Sequence, residues 1–154
     1  MTGTILVTGA AGFIGSHVVR ELLSQGHSVR ATVRDPMNAE FLKTLPGAEN
    51  LEIVKMDLLE RGSVDAAVAG CDDVIHCAAA LYVGVKDAQK EVVDPSIQGT
   101  QNLLDAIDAA GGVNRFIHTS SVAAVRRTGY DNGRTFTQED WCDNATVDSN
   151  AYGM

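Results

Sequence analysis

Cysteine is scarce and carries no pattern: Cys71, Cys77 and Cys142 are the only three in 154 residues. An odd number without C-x-x-C spacing speaks against a disulfide framework and a zinc site alike. Positive charge is short as well. Lys and Arg number 12 against 20 Asp and Glu, giving a formal net charge of -8, and the basic residues form no long run. Nucleic-acid binding draws on clustered Lys and Arg, so the sequence excludes that partner, and the acidity bears on solubility instead. No stretch approaches the roughly 18 uninterrupted apolar residues of a membrane helix. The chain enters a strand at once, without the charged region, apolar core and cleavage site of a secretion signal. These absences lead to the expectation of a cytoplasmic chain with no membrane partner. There are also no internal repeats beyond strand and helix alternation, no low-complexity tract and no linker.

What is present is an ordinary globular composition, 45% hydrophobic and 21% charged, at a length that suits one domain over residues 1–154. The chain is organised around Ile5-Leu6-Val7-Thr8-Gly9-Ala10-Ala11-Gly12-Phe13-Ile14-Gly15-Ser16-His17. An apolar strand runs into a glycine-spaced turn, and the turn runs into an amphipathic helix. Gly9 suits the sharp turn, Gly12 a close approach of phosphate to backbone, and Gly15 the packing of helix on strand. The helix start then aims unpaired N–H groups and a positive dipole end at a pyrophosphate.

Further along, Phe13, Ile14, Val18, Val19, Leu22 and Leu23 recur at helical spacing up to a stop at Gly26. His17 and His27 flank this helix without a second ligand at metal-binding spacing and read as structural or solvated. Residues Ser28 to Val33 form a second strand, followed by Arg34-Asp35-Pro36 and a short helix expected from Asn38 to Leu42. A third strand, Leu51 to Met56, leads to Asp57-Leu58 and a helix from about Arg61 to Ala69. The fourth, Asp73 to Cys77, ends in Ala78-Ala79-Ala80, with Cys77 expected as a buried thiol. A loop with Tyr82 and Gly84 follows, then a helix expected to resume after Pro95, with Ile97, Leu103, Leu104 and Ile107 on its apolar face. The fifth strand, Arg115 to Thr119, leads into Ser120-Ser121. From Ala124 onward, Gly129, Asn132, Gly133, Asp143, Asn144 and Asp148 punctuate a long polar segment of the kind that carries function.

Five strands alternating with helices imply an α/β, Rossmann-type, doubly wound parallel sheet of order 3-2-1-4-5, with a ligand crevice where strands one and four diverge. The end of strand two then selects the dinucleotide. A carboxylate there favours a ribose 2′-hydroxyl and a guanidinium favours a 2′-phosphate. Arg34, with Lys43 in reach, favours NADP over NAD; a shift of one residue would instead put Asp35 at the ribose. By spacing alone, Ser121 and Tyr152 are a weak pair, since polar loops are rich in both residue types.

Taken together, Thr8-Gly9-Ala10-Ala11-Gly12-Phe13-Ile14-Gly15, Val29 to Pro36, Asp57-Leu58, His76-Cys77-Ala78-Ala79, Gly99 to Leu104 and Thr119-Ser120-Ser121 resemble the extended short-chain dehydrogenase/reductase family. The dihydroflavonol reductase and cinnamoyl-CoA reductase branch is the most similar. The resemblance implies an NADP-dependent reductase of aldehydes, ketones or related carbonyl compounds. It assigns Gly9, Gly12, Phe13, Ile14 and Gly15 to the pyrophosphate region, Arg34 and Lys43 to the 2′-phosphate, and Asp57 and Leu58 to the adenine. Ala78 and Ala79 fall on the ribose-nicotinamide side, and Thr119 counts among the cofactor-binding residues. Ser121 would orient the substrate oxygen, with Tyr152 as general acid.

Tyr152-Gly153-Met154 looks like the opening of the family's Y-x-x-x-K motif, whose lysine falls two residues beyond Met154. The sequence therefore reads as a cofactor-binding portion without the C-terminal strands and substrate region, expected to be inactive alone and to self-associate through an uncovered sheet face. Gln98 departs from the asparagine often found in relatives. A nucleotide-sugar epimerase or dehydratase using NAD, and a dinucleotide-binding module without catalysis, are the alternatives.

Overall fold

The computed structural model describes residues 3–80, 85–126, 129 and 133–153. Tyr82, Gly84, Asn132 and Met154 lie outside the described residues. The chain divides into two compact units, Met1–Ala79 with Gln98–Thr119, and Ala80–Ile97 with Ser120–Met154.

In the first unit, strands β1 (Thr4–Thr8), β2 (Ser28–Val33), β3 (Leu51–Lys55), β4 (Asp73–His76) and β5 (Arg115–His118) form one parallel sheet in the order β3-β2-β1-β4-β5, as the alternation implies. Successive side chains of a strand point to opposite faces, and β1 shows what that does here. Leu6 joins a core with Val64, Ala67 and Val68 of α2 (Arg61–Val68) and with Leu103 and Ala106 of α3 (Asp94–Ala110). Val7 joins the opposite core, with Val19 and Leu23 of α1 (Phe13–Ser24) and Ala39 and Leu42 of a 3-10 helix, Pro36–Thr44. Both faces of the central strands are thus covered, and near-continuous apolar runs follow from that. Edge strand β5 is different: Ile117 is half exposed.

Several boundaries differ from the sequence expectation, each for a local reason. The helix expected to open at Asn38 opens at Pro36, because the Asp35 carboxylate caps it, accepting Met37 N–H at 3.0 Å, and proline is tolerated in a first helical turn. Strand β4 stops one residue early. The N–H of Cys77 turns to the Thr8 hydroxyl at 3.1 Å, and its thiol is half-buried rather than buried.

The second unit contains the early turns of the helix expected after Pro95. The chain is already helical before that proline, through a wider π-helical turn over Gln89–Val93 that runs into α3. A proline ring crowds the carbonyl four residues back in a regular helix, and a widened turn relieves that crowding. The polar segment after Ala124 gains only short elements, α4 (Val147–Asn150) and a 3-10 turn, Ala151–Gly153.

Candidate dinucleotide site

The three glycines of the turn answer to different demands. Gly9 has φ of +64°, and a Cβ there would stand 2.9 Å from the Cα of Ala78, so both backbone conformation and packing require glycine. A Cβ on Gly15 would lie 2.8 Å from the carbonyl carbon of Gly9 and 2.9 Å from Ala10 Cα. Glycine is what lets α1 seat on the turn. Gly12 differs from both. Its φ of -76° suits any residue, and its Cβ would meet only the Gly9 carbonyl oxygen, at 3.2 Å. That contact is tight, but the protein's own packing crowds this position less than it crowds Gly9 or Gly15.

Gly12 is also the N-cap of α1, with no side-chain cap and no acidic residue in the first helical turn. The leading N–H groups of a helix lack intrahelical acceptors and carry a partial positive charge, so this end is fitted to an anion. Phe13 and Ile14 extend beside it, 79% and 52% exposed. The Phe13 ring tilts against His17 with centroids 4.7 Å apart, and His17 Nδ1 lies 2.8 Å from the Phe13 carbonyl.

Thr8, which sequence reasoning treated only as part of the motif, organises the end of β4. Its buried hydroxyl oxygen accepts the N–H groups of Cys77 and Ala78, each at 3.1 Å. With both lone pairs taken, its own proton goes to His76 Nδ1 at 2.6 Å. This fixes His76 as the neutral Nε2–H tautomer. Burial, reinforced by His118 with its ring centroid 5.1 Å away, lowers the His76 pKa to about 4. Thr119 continues the pattern beside it, its N–H donating to His76 O at 3.0 Å and its hydroxyl lying 3.5 Å from Cys77 Sγ. Ala78 is half-buried and Ala79 exposed.

At the end of β2, Ala10 N–H donates to Thr32 O at 3.2 Å, which ties the glycine turn to that strand. Arg34 follows as an exposed side chain. Asp35 is committed to capping, accepting from Met37 N–H and Asn38 Nδ2, so its carboxylate is drawn to backbone. Lys43 is exposed and paired with Glu40 at 2.7 Å.

The loop after β3 is pinned from α3. Asn102, buried and not singled out by the sequence pattern, donates to Leu58 O at 2.7 Å and accepts from Gln98 Nε2 at 2.9 Å. A Cβ on Gly99 would stand 3.0 Å from Leu58 Cβ, so glycine admits the loop at van der Waals range. Asp57 holds its own turn through its carboxylate, which accepts Leu59 N–H at 2.9 Å.

In the second unit, Ser121 Oγ accepts Ala123 N–H at 3.2 Å and opens the 3-10 turn Val122–Ala124. Tyr152 sits in the turn Ala151–Gly153, 40% exposed.

Residues 5–154 match the sequence model of the NAD dependent epimerase/dehydratase family. The chain belongs to that family. Within curated proteins it is 43% identical over 150 residues to a dihydroflavonol 4-reductase of Hordeum vulgare, covering 92% of this chain and 41% of that relative. It is 44% identical over 129 residues to the cinnamoyl-CoA reductase CAD2 of Medicago truncatula, covering 81% and 40%. Among solved structures, yeast methylglyoxal/isovaleraldehyde reductase Gre2 complexed with NADPH superposes with a TM-score of 0.85 at 27% identity, over 97% of this chain and 48% of that one. Vestitone reductase from alfalfa matches at 36% identity with a TM-score of 0.74, over 92% and 43%. The chain spans less than half the length of these relatives. Family membership agrees with the observed sheet order.

Proposed function

We propose that this chain is the cofactor-binding portion of an NADPH-dependent reductase of aldehydes, ketones or related carbonyl compounds. The observation that carries the reading is Gly12: of the three glycines in the turn, it is the one least crowded by the protein's own backbone, and it stands at the uncapped start of α1. A pyrophosphate would take the N–H groups at the start of α1, with Gly9 and Gly15 shaping the turn and Phe13 and Ile14 covering it. Arg34 would meet the 2′-phosphate with Lys43 in support, beside an Asp35 carboxylate engaged in capping Met37 and Asn38. Asp57 and Leu58 would flank the adenine, and Ala78, Ala79 and Thr119 the ribose-nicotinamide side. The reductase names of the relatives support the same reading, as does the NADPH bound in the yeast reductase structure.

The bound cofactor supplies a hydride; the chain's own residues handle the oxygen. Ser121 would hold the substrate carbonyl oxygen by a hydrogen bond from its hydroxyl. Tyr152 would give that oxygen its proton, which a phenol does near neutral pH only when a neighbouring cation stabilises the phenolate.

Titration with NADPH and NADH, followed by cofactor fluorescence, tests the cofactor assignment. NADPH is expected to bind at least tenfold more tightly, about 1.4 kcal/mol, and Arg34→Ala is expected to remove that preference. Equal affinities in the unaltered protein, or an unchanged preference in the variant, would sink the assignment. Carbonyl turnover is tested in the longest natural chain that carries this sequence, with NADPH oxidation measured across a panel of aldehydes and ketones; no oxidation with any of them would defeat the reading.

A further inference from the structure

In the second unit a series of contacts links the turn that Ser121 caps to the turn that carries Tyr152. Cys142 is buried, and its N–H donates to Ala124 O at 2.8 Å. Asn150 faces Cys142 with its amide nitrogen, 3.9 Å from Sγ, while its Oδ1 accepts Gly153 N–H at 3.0 Å. Gly153 is buried, and a Cβ there would stand 2.6 Å from Ala123 O and 2.7 Å from Asn150 Cγ. Its φ is not in the left-handed region. Space, not conformation, is therefore what excludes a side chain at this position.

The consequence is a direct seating of one turn on another. The turn Ala151–Gly153, which carries Tyr152, presses its glycine onto Ala123, in the turn that Ser121 caps. Asn150 bonds both to Gly153 and to the cysteine that holds the neighbouring carbonyl. Thr146 and Ser149 fix the approach to this turn in a reciprocal capping box at the start of α4.

We propose that Asn150 and Gly153 are positioning residues for Tyr152, setting its phenol against the Ser121 hydroxyl. The proposal rests on reading Ser121 and Tyr152 as the groups that handle a carbonyl oxygen. A misplaced general acid loses proton transfer without losing affinity for a cofactor bound elsewhere, because general acid catalysis depends on reach.

The test uses the longest natural chain carrying this sequence, measuring kcat, KM for a carbonyl substrate and NADPH affinity. The variants are Asn150→Ala, Asn150→Asp, Gly153→Ala, Ser121→Ala and Tyr152→Phe. Asn150→Ala and Gly153→Ala are expected to lower kcat by about tenfold or more, a part of the 10²–10⁴ that general acid catalysis supplies, with NADPH affinity within about twofold of the unaltered protein. Asn150→Asp retains an oxygen for Gly153 N–H and is expected to recover most of kcat, an ordering that a general loss of stability would not produce. Unaltered kcat in folded Asn150→Ala and Gly153→Ala, beside collapse in Ser121→Ala and Tyr152→Phe, overturns the positioning role and leaves the reductase reading standing. Full turnover in both Ser121→Ala and Tyr152→Phe overturns that reading and the positioning role with it. If circular dichroism shows Asn150→Ala unfolded, Asn150→Ser decides: its side chain is too short to reach both Cys142 and Gly153, so unaltered kcat there also overturns the proposal.

Discussion

The glycine turn at 9–15 and the paired turns at 121–124 and 151–153 are held by opposite means. The first is packed into one apolar core, with Val7, Ala10 and Val19 fully buried around it and the ladders of β1 on either side. The second is held by a few polar groups, among them Ser121, Asn150 and the capping pair Thr146 and Ser149, on elements only three or four residues long. Dense packing punishes a single misplaced carbon, whereas a short polar element loses one hydrogen bond at a time. Substitutions in the first region should therefore separate sharply into those that break the fold and those that spare it. In the second they should act on local placement.

The largest expected effect sharpens that division within the turn itself. Gly15→Val should destabilise the protein by about 3 kcal/mol or more, because an overpacked core must shift backbone to accommodate the side chain. Gly12→Val should leave the circular dichroism spectrum and the melting transition nearly intact while abolishing NADPH binding. Denaturant unfolding and cofactor titration of both variants check this. If the folded Gly12 variant still binds, the turn is packing alone and its middle glycine needs another explanation.

Thr8→Val comes next. The change preserves shape but leaves the buried N–H groups of Cys77 and Ala78 without their acceptor, at about 1–3 kcal/mol for each unsatisfied group. A loss of under about 0.5 kcal/mol would mean those groups find other partners and that Thr8 does not set the end of β4.

His76 gives the same region a pH signature. Its pKa is lowered from 6.5 to about 4 in the folded state, so the unfolded chain binds the extra proton between those values. Stability from keeping His76 neutral is complete above pH 6.5 and is lost as pH falls toward 4, amounting to about 3 kcal/mol across that window. Urea unfolding at a series of pH values should show that slope, and His76→Phe should flatten it. An identical slope in the variant would assign the effect to other groups.

The smallest effect belongs to the second region. Thr146→Ala removes one half of the capping box and should cost about 1 kcal/mol at most, because the cap serves a four-residue helix. Amide exchange should quicken over residues 147–153 while the β1 and β4 amides stay protected. Equal loss of protection in both places would break the contrast between a region held by core and one held by caps.

The sequence carried the fold clearly because its signals are periodic and repeated. The apolar run at 5–7, the alternating 28–33 and the short 73–77 read as strands, and the glycine-broken helical stretches between them implied parallel crossovers. Arg34 was singled out by its place at the end of strand two, with Asp35 one residue away, and Ser121 and Tyr152, a weak pair by spacing, only by the family resemblance. What stayed hidden were contacts between residues far apart in the chain. Thr8 and His76 are 68 positions apart, and Asn102 reaches a carbonyl 44 positions away. Neither link leaves a period or a spacing in the sequence, and the same holds for the half-burial of Cys77.

The sequence by itself thus determined the order of elements, the parallel sheet and the presence of a three-glycine turn after its first strand. Only the tertiary structure ranked those glycines, with Gly9 and Gly15 forced by clashes under 3.0 Å and Gly12 crowded least. It also turned the Asp35 carboxylate to cap the helix at Pro36, a choice of side-chain direction that adjacent letters cannot express. The physical reason is the same in each case. Periodicity fixes which face of an element is buried, but the atoms that meet there are set by how distant elements are brought into van der Waals contact.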